Sequence, residues 1–249
     1  MSEIKLAKIS TRADKDLNKE ETKAKTAKKL ESISELQNLL FAQSKHSLLV
    51  VIQGMDASGK DGVIRNVFGP MNPQGVLVKS FKGPTSEELA HDFLWRIHAH
   101  APAKGMIQIF NRSHYEDVLI TRVHGMCDNH TAKKRMRAIN NWEELITKNN
   151  TTTILKFYLH ISPGEQQKRL DERMKDPAKM WKYNENDFAE ARLWDKYMEM
   201  YEDCFANCND IPWTIVPSDQ NWYKEHIIAS KLLDTLKNFD MKFPGLKKH

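Results

Sequence analysis

Residues 54–62 read Gly54-Met55-Asp56-Ala57-Ser58-Gly59-Lys60-Asp61-Gly62, and one residue separates them from the apolar run Leu48-Leu49-Val50-Val51-Ile52. Consecutive aliphatic residues next to a glycine predict a strand buried on both faces of a parallel sheet. The G-x-x-x-x-G-K spacing is typical of a loop whose backbone N–H groups surround a phosphate while the lysine adds positive charge. A helix predicted from near Gly59 directs the positive end of its dipole at the same place. The predicted phosphate-binding residues are Gly54, Ala57, Ser58, Gly59, Lys60, Asp61 and Gly62.

Asp61 stands where such loops usually have Ser or Thr, whose hydroxyl binds magnesium. A carboxylate beside a phosphate chain repels it unless a cation lies between them. We therefore expect Asp56 to hold Mg²⁺, with Asp61 as a second candidate, because this hard cation prefers carboxylate and phosphate oxygens. The alternative interpretation is a glycine-rich turn from strand to helix that binds no ligand.

The chain has 249 residues, which suits either one α/β domain with an insertion or two small domains. We favour a single domain over residues 1–249. Lys and Arg number 38 against 33 for Asp and Glu, which gives a formal charge of +5. This excess is small for a nucleic-acid binder, but clustered cations would suit a cleft that holds a polyanion.

The cysteines Cys127, Cys204 and Cys208 are odd in number and lack metal-ligand spacing, which indicates a reducing compartment. The segment Met1–Lys5 lacks the apolar core of a signal peptide, and no apolar run approaches membrane-spanning length. We therefore expect a cytoplasmic protein with no membrane partner.

Strands and helices are predicted to alternate along the chain, which favours an α/β fold with a five-stranded parallel sheet and helices on both faces. Residues 1–45 form a helical extension, whose first 15 residues are expected to order only by packing on the body or a partner subunit. Helices within about 162–208 are candidates for a lid. Strands are predicted near residues 48, 76, 106, 153 and 213, and helices over 18–44, from 59, and over 86–100, 131–150, 164–175, 187–207 and 221–239.

A second polar motif, Asn111–Asp117, follows the predicted strand Met106–Phe110. Ligands of open α/β sheets lie at the carboxyl ends of the strands, so this motif should face the same cleft as the phosphate loop. Arg112 is suited to contact phosphate oxygens through two N–H groups. The alternative for Arg112 is a surface ion pair with Glu116 or Asp117.

The chain resembles the family 2 polyphosphate kinases over about residues 30–240. The glycine-rich loop resembles their G-x-D-A-x-G-K-[DG]-G motif, and Asn111–Leu119 resembles their second motif. The further similar segments, in the same order along the chain, are Asn72-Pro73-Gln74-Gly75, His91-Asp92-Phe93-Leu94-Trp95-Arg96 and Trp181-Lys182-Tyr183.

This resemblance implies a P-loop kinase fold related to that of thymidylate kinase. It also implies phosphoryl transfer between inorganic polyphosphate and a nucleotide, with Mg²⁺ as cofactor. The roles it implies are phosphate binding by Lys60 and the loop amides, metal binding by Asp56, binding of the reacting phosphates by Arg112, and closure of Arg173 from the lid. Family members commonly form homodimers or homotetramers, and the same is expected here.

The second motif also bears on the acceptor. Members restricted to nucleoside diphosphates have Asp before the Arg-Ser pair and Trp-Tyr-Asn-Arg after it, whereas this chain has Asn111 and His114-Tyr115-Glu116-Asp117. It is similar to the class III branch, which phosphorylates both AMP and ADP. An uncharged Asn111 removes one carboxylate near the acceptor's α-phosphate, so a monophosphate is repelled less. The expected acceptors are adenine nucleotides, with guanine nucleotides as a second candidate.

Basic residues of the lid are candidates for holding the rest of a polyphosphate chain. For each of them a solvated basic face is an equally weighted alternative. The polyphosphate candidates are Lys168, Arg169, Lys179 and Lys182, and the nucleotide candidates are Phe81, Lys82, Pro84, Asp92, Arg96, Asn111 and Arg122.

Two other functions compete with this one. A nucleoside monophosphate kinase that uses ATP would share the loop and the lid, but it should have Ser or Thr where Asp61 stands. A P-loop protein could instead bind a nucleic-acid backbone through its basic helices. The modest charge and the lack of any nucleic-acid motif count against that, so no nucleic-acid partner is expected.

Overall fold

The computed structural model describes residues 4–246, and at its centre is a parallel sheet of five strands. The strand order is β2-β3-β1-β4-β5, which confirms the predicted α/β architecture. Every residue of the central strand β1 is buried, as its unbroken apolar sequence predicts. The strands are β1 Ser47–Gln53, β2 Val76–Ser80, β3 Ile107–Asn111, β4 Thr152–His160 and β5 Trp213–Pro217.

Helices cover both faces of the sheet. The helix that follows the glycine-rich loop begins at Lys60 and continues from Ile64 to Phe68 as a π-helical segment. The α-helices are α1 Lys19–Gln43, α2 Lys60–Val63, α3 Ser86–Leu89, α4 Trp95–His98, α5 Ile120–Val123, α6 Asn129–Asn150, α7 Pro163–Lys175, α8 Glu185–Ala191, α9 Trp194–Asn207 and α10 Asn221–Lys237.

The core has two parts, one on each side of the sheet, because successive side chains of a strand point to opposite faces. Val50 of β1 packs with residues of α1, α2 and α10, whereas Leu49 and Val51 pack with residues of α6 and α9. In register, Leu48 lies beside Ile107 of β3 and Thr153 of β4. The carboxyl ends of β1, β3 and β4 therefore meet at one edge, where the predicted site residues lie.

Two predicted helices are interrupted. The helix predicted over 86–100 is α3 and α4, because the Asp92 side chain accepts from the backbone N–H of Leu94 and forms a turn between them. The helix predicted over 187–207 is α8 and α9. Its break is a turn in which Leu193 N–H bonds to the carbonyl of Glu190. The predicted helix starts are confirmed at two places. Thr85 forms the predicted capping box with Glu88, and the helix after Ser162 begins at Pro163.

The amino-terminal segment packs on the body, as predicted, although residues 1–3 of the predicted extension lie outside the described part of the chain. Leu6 is buried, and its backbone N–H donates to Glu202 of α9. The backbone N–H of Asp219, just after β5, donates to the carbonyl of Thr11. Residues 247–249 of the predicted domain are likewise outside the described residues.

Two further observations concern the cysteines and the hydropathy of the helices. The cysteines Cys127, Cys204 and Cys208 are all buried and free. Within residues 4–246, none of the helices is long and apolar enough to pass through a membrane.

Candidate active site

The glycine-rich segment forms a loop at the carboxyl edge of the sheet, between β1 and α2. Its backbone is left-handed at Ala57, with φ 61°, and at Gly59, with φ 96°. A side chain at Gly59 would be strained by this φ, and its Cβ would also lie 2.2 Å from Nζ of Lys224. The shape of the loop therefore depends on a glycine at position 59.

Lys60 lies inside the loop, with 8% of its surface exposed. Its Nζ donates to the carbonyl oxygens of Gly54 at 2.7 Å and Met55 at 3.1 Å. Burial, followed by the charge of Arg112, lowers the pKa of Lys60 to about 8. The lysine fixes the start of the loop and places its charge within it.

Asp56 of the loop faces Arg112, which directly follows β3. Nη2 of Arg112 donates to Oδ1 of Asp56 at 2.5 Å, and Nη1 donates to Oε2 of Glu116 at 3.4 Å. Burial opposes ionisation of Asp56, but the charges of Lys60, Arg112 and Arg173 hold its pKa below the usual value. Arg112 thus forms the ion pair with Glu116 that was its alternative role. Its guanidinium also contacts the phosphate loop through Asp56.

The cleft around this pair is also lined by residues that were not predicted as site residues from the sequence. Glu190 of α8 accepts from the hydroxyl of Tyr197, seven residues further along, at 2.5 Å, and it also lies 3.1 Å from Nε2 of His124. Glu190, Tyr197 and Tyr201 line the cleft together with Asp56 and the Arg112 side chain. Glu190 belongs to α8 and Tyr197 to α9, so the turn between these helices brings the two side chains together. Tyr201 is buried, with 3% of its surface exposed.

Asp61 connects the loop to β3 and to the segment predicted as a lid. Its Oδ1 accepts from Nδ2 of Asn111 at 3.0 Å, and its Oδ2 accepts from Nζ of Lys182 at 2.7 Å. Burial opposes ionisation, but Lys182 and Asn111 keep the pKa of Asp61 below the usual value. The structure therefore brings Asp61, Asn111 and Lys182 together.

Two further cations of the predicted lid, Arg173 and Lys179, differ in position. Arg173 of α7 forms an ion pair with Asp187 of α8, and its charge acts on Asp56 in the cleft. Lys179 instead pairs with Glu172 at 2.9 Å and has 47% of its side chain exposed. Arg173 thus lies near Asp56 and pairs with Asp187, whereas Lys179 is exposed with local partners.

Arg169 of α7 donates hydrogen bonds to backbone carbonyls of the phosphate loop. Its Nη1 donates to the carbonyls of Ala57 at 3.0 Å and Ser58 at 3.2 Å. Its Nη2 donates to the carbonyls of Ser218 at 2.8 Å and Asp219 at 2.9 Å. Arg169, a candidate for the polyphosphate channel, is therefore engaged with backbone oxygens, so the structure gives it a supporting role instead.

Lys224 of α10 supports the loop in the same way, and the sequence analysis missed it. Its buried Nζ donates to the carbonyl of Ser58 at 2.9 Å and to Oδ1 of Asn221 at 3.0 Å. Burial, with the nearby charge of Arg169, lowers the pKa of Lys224 to about 7. A lysine within an otherwise amphipathic helix gives no sequence signal for such a contact.

Several nucleotide candidates are engaged within the protein. Phe81 is 3% exposed and packs edge-on against Phe110, with ring centroids 4.9 Å apart, so its ring is a core side chain. Nη1 of Arg122 forms an ion pair with Asp203 of α9 at 2.6 Å. Arg122 is therefore directed at α9 and not into the cleft beside Asp56.

The remaining nucleotide candidates lie around α3 and α4. Arg96 donates to the carbonyl of Lys82 at 2.9 Å and lies 3.4 Å from a carboxylate oxygen of Glu88. Asp92 forms the turn between the two helices. Lys82, Pro84 and Asp92 are exposed. Nucleotide contact by any of these residues stays a prediction.

The residues present fit a magnesium ion shared with substrate. Among residues 4–246, no group of three or more His, Cys, Asp or Glu could hold a metal by itself. Magnesium commonly uses one or two protein carboxylates, water and substrate phosphates, so a complete protein cage is not required. Asp56, whose carboxyl has a lowered pKa and lies inside the phosphate loop, is the suitable ligand.

The site can therefore bind a chain of phosphates. Lys60, Arg112 and Lys182 contact one loop, and Arg173 lies near it; each arginine, like Lys182, is paired with a carboxylate. Phosphate oxygens make strong charge-assisted hydrogen bonds with the same donors, so they can replace these carboxylates. A parallel sheet of this order with a phosphate loop after its central strand defines the class of P-loop phosphotransferases.

The chain belongs to the polyphosphate kinase 2 family, since the model of the family described as "Polyphosphate kinase 2 (PPK2)" matches residues 16–244. It is therefore a polyphosphate kinase with a P-loop kinase fold.

Named relatives and a solved structure agree with this assignment. The chain is 46% identical over 214 residues to the AMP/ADP-polyphosphate phosphotransferase of Meiothermus ruber, covering 85% of this chain and 80% of the relative. It is 42% identical over 229 residues to the ADP-polyphosphate phosphotransferase of Rhodopseudomonas palustris, covering 86% and 79%. The crystal structure of polyphosphate kinase 2 from Arthrobacter aurescens superposes with a TM-score of 0.95 at 41% identity, covering 100% of this chain and 90% of that one.

Replacing Gly59 should destabilise the protein. In Gly59→Ala the residue must keep a φ of 96° or rearrange the loop, and its Cβ displaces Nζ of Lys224. We expect a loss of about 1–3 kcal/mol in the free energy of unfolding, measured by urea denaturation. The matched control is Gly62→Ala, where an added Cβ meets nothing within 4 Å, and a gain of up to about 1 kcal/mol is expected. Equal losses in both variants would contradict this account of the loop.

Phosphate binding should weaken as the solution becomes alkaline. Because the pKa of Lys60 is lowered to about 8, its ammonium is lost as the pH rises through that value, well before an ordinary lysine. The affinity for inorganic tripolyphosphate, measured by calorimetry, should therefore fall above about pH 8.

The variant Lys60→Arg is the control, since its guanidinium stays charged throughout and should remove this pH dependence. A fall centred near pH 7 that persists in Lys60→Arg would instead identify Lys224, whose pKa is about 7, as the titrating group.

Proposed function

We propose that the protein transfers phosphoryl groups reversibly between inorganic polyphosphate and adenine nucleotides, converting AMP to ADP and ADP to ATP with Mg²⁺. The observation that carries this proposal is the meeting of Asp56, Lys60 and Arg112 at one phosphate loop, in a chain of the polyphosphate kinase 2 family. The name of the Meiothermus ruber relative, which specifies AMP and ADP, supports the choice of acceptors.

In the proposed forward reaction, a phosphate oxygen of AMP or ADP attacks the terminal phosphorus of polyphosphate. A new P–O bond forms as the terminal P–O–P bridge breaks, and the shortened chain leaves with the electron pair of that bond. Such transfer depends on in-line positioning and on stabilising the charge of the transferred group. Lys60 and the loop amides would hold the donor phosphates, and Arg112 would bind the phosphoryl group in transit.

Asp56 would hold Mg²⁺ together with phosphate oxygens of the substrates. When bound, the ion supplies charge neutralisation and orientation of those oxygens. Phosphate entry would free Asp56 from Arg112, since phosphate oxygens can take over as partners of the guanidinium. The same exchange would free Asp187 from Arg173.

Residues 162–208 would act as a lid over the phosphates. Lys182 already joins the lid to the loop through Asp61, and Arg173 lies close enough to influence Asp56. Closure would exclude water, which otherwise competes with the nucleotide as acceptor. Lys179, on the lid surface, would meet only a more distant part of a long polyphosphate chain.

Asn111 supports acceptance of a monophosphate. Its amide donates to Asp61, so an aspartate at position 111 would place a second carboxylate about 3 Å from the first. The neutral amide avoids that charge beside the loop. A monophosphate acceptor, which must approach the loop more closely than a diphosphate does, would then meet less repulsion.

The direct test is nucleotide turnover by the purified protein with Mg²⁺, with products separated by chromatography. We expect ADP and then ATP to form from AMP and long-chain polyphosphate. ADP formed only when ATP is the donor would identify a nucleoside monophosphate kinase instead. Activity on ADP but not on AMP would keep the polyphosphate donor and refute the role given to Asn111.

Two arginine variants test whether this activity depends on the cleft. Arg112→Ala should lower kcat/KM by about 10²–10³-fold, because it removes a cation from the transferred group. Arg137→Ala, an exposed arginine of α6, is the control and should stay within about twofold of the wild type. Similar losses in both variants would show that the effect is not specific to the cleft.

A further inference from the structure

A cluster of buried polar side chains lies beneath the cleft, between β4, α6 and the segment after β3. Lys156 is 1% exposed, and Glu143, His114 and Tyr115 are equally buried. Nζ of Lys156 donates to Oη of Tyr115 at 2.8 Å, to Oε2 of Glu143 at 2.9 Å and to the carbonyl of Cys208 at 2.9 Å. These contacts use all the N–H groups of the ammonium.

Glu143 completes the cluster. Its Oε1 accepts from Oη of Tyr115 at 2.7 Å and lies 3.4 Å from Nε2 of His114. Burial opposes ionisation, but His114 and Lys156 hold the pKa of Glu143 below its usual value. The cluster therefore contains a charged pair with satisfied hydrogen bonds in the protein interior.

Stability alone does not explain a charged pair at this place. Removing two charges from water is costly, and well-packed apolar residues of similar volume are often equally stable or more stable. Buried polar networks can instead fix one geometry, because each hydrogen bond requires its partner at a set position. The question is which part of the molecule this cluster holds in place.

The cluster includes Tyr115, three residues after Arg112. Arg112 has a φ of 62°, a left-handed conformation that costs a non-glycine residue about 1–3 kcal/mol unless its surroundings impose it. Its N–H donates to the carbonyl of Ile52 at 3.1 Å, and Oγ of Ser113 accepts from Nε2 of Gln53 at 3.0 Å. Tyr115 then enters the buried cluster.

We propose that Tyr115, Glu143 and Lys156 are positioning residues for phosphoryl transfer, holding the backbone after Arg112 so that its guanidinium faces the phosphate loop. The kinetic form of this proposal rests on the proposed function. None of the three residues is among the described residues that line the cleft, and the cluster acts on the cleft through Arg112. Through the Cys208 carbonyl it also fixes the end of α9, the helix that supplies Tyr197 and Tyr201 to the cleft.

The first test removes one hydroxyl. Tyr115→Phe keeps the ring, which packs against Trp213 with centroids 4.7 Å apart, but it loses the bonds to Lys156 and Glu143. We expect kcat with AMP and polyphosphate to fall between about tenfold and a hundredfold while KM changes little. The control is Tyr158→Phe, a buried tyrosine whose hydroxyl contacts Sδ of Met198, and it should keep wild-type kcat. An unchanged kcat in Tyr115→Phe would overturn the proposal.

Repeating the substitution in an Arg112→Ala enzyme separates positioning of Arg112 from a general loss of activity. If the cluster acts through Arg112, Tyr115→Phe should change the residual kcat of an Arg112→Ala enzyme by less than about twofold. The same loss of kcat in both backgrounds would show that Tyr115 acts independently of Arg112, and would overturn the proposal.

A third variant separates stability from activity. The triple substitution Tyr115→Phe, Glu143→Leu and Lys156→Met replaces the charged pair and the Tyr115 hydroxyl by apolar groups, so neither charge of the pair is left buried alone. We expect its free energy of unfolding to equal or exceed that of the wild type, with kcat at or below that of Tyr115→Phe. Wild-type kcat in this variant would contradict the proposal.

A crystal structure of Tyr115→Phe gives a readout that does not need turnover. The proposal predicts that Arg112 leaves its left-handed conformation, or that its guanidinium moves away from Asp56. An unchanged Arg112 would overturn it. A wild-type protein without polyphosphate turnover would mean failure of the proposed function, and this comparison would still decide the positioning role.

Discussion

The ion pair between Asp56 and Arg112 sets the geometry on which the site depends. Asp56 follows β1, Arg112 follows β3, and these strands are neighbours in the sheet, so their carboxyl ends bring the two side chains together. Both side chains are only partly buried, with 34% of Arg112 and 23% of Asp56 exposed, but the conformation of Arg112 is strained. It persists because the loop below is held by Lys60, Arg169 and Lys224 through backbone carbonyls.

Two other cations near the phosphate loop are likewise held by carboxylates. Arg173 is paired with Asp187, and Lys182 with Asp61, so each charge is balanced before any phosphate arrives. A cation held by a carboxylate is already oriented, and phosphate oxygens can replace that carboxylate without assembling the site anew. The family's donor, a chain of phosphates, has the chemistry that such an array of cations accepts.

Sequence reasoning found the sheet and the loop because their signals are local. Unbroken aliphatic runs define the strands, and the spacing of Gly54, Gly59 and Lys60 defines the loop. The contacts of Arg169 and Lys224 with the phosphate loop join residues that are far apart in sequence. Charge and periodicity predict a basic helix face whether its cations contact phosphate or backbone oxygens, so the sequence could not show that Arg169 donates to the carbonyls of Ala57 and Ser58.

The measurement that tests this account most directly is a crystal structure of the protein with AMP, tripolyphosphate and Mn²⁺ in place of Mg²⁺, with the metal located by its anomalous scattering. We predict that the ion lies about 2 Å from a carboxylate oxygen of Asp56 and that Arg112 contacts a phosphate instead of Asp56. A metal bound away from Asp56, with the Asp56–Arg112 pair intact beside bound phosphates, would contradict the central claim that phosphate and metal replace this ion pair.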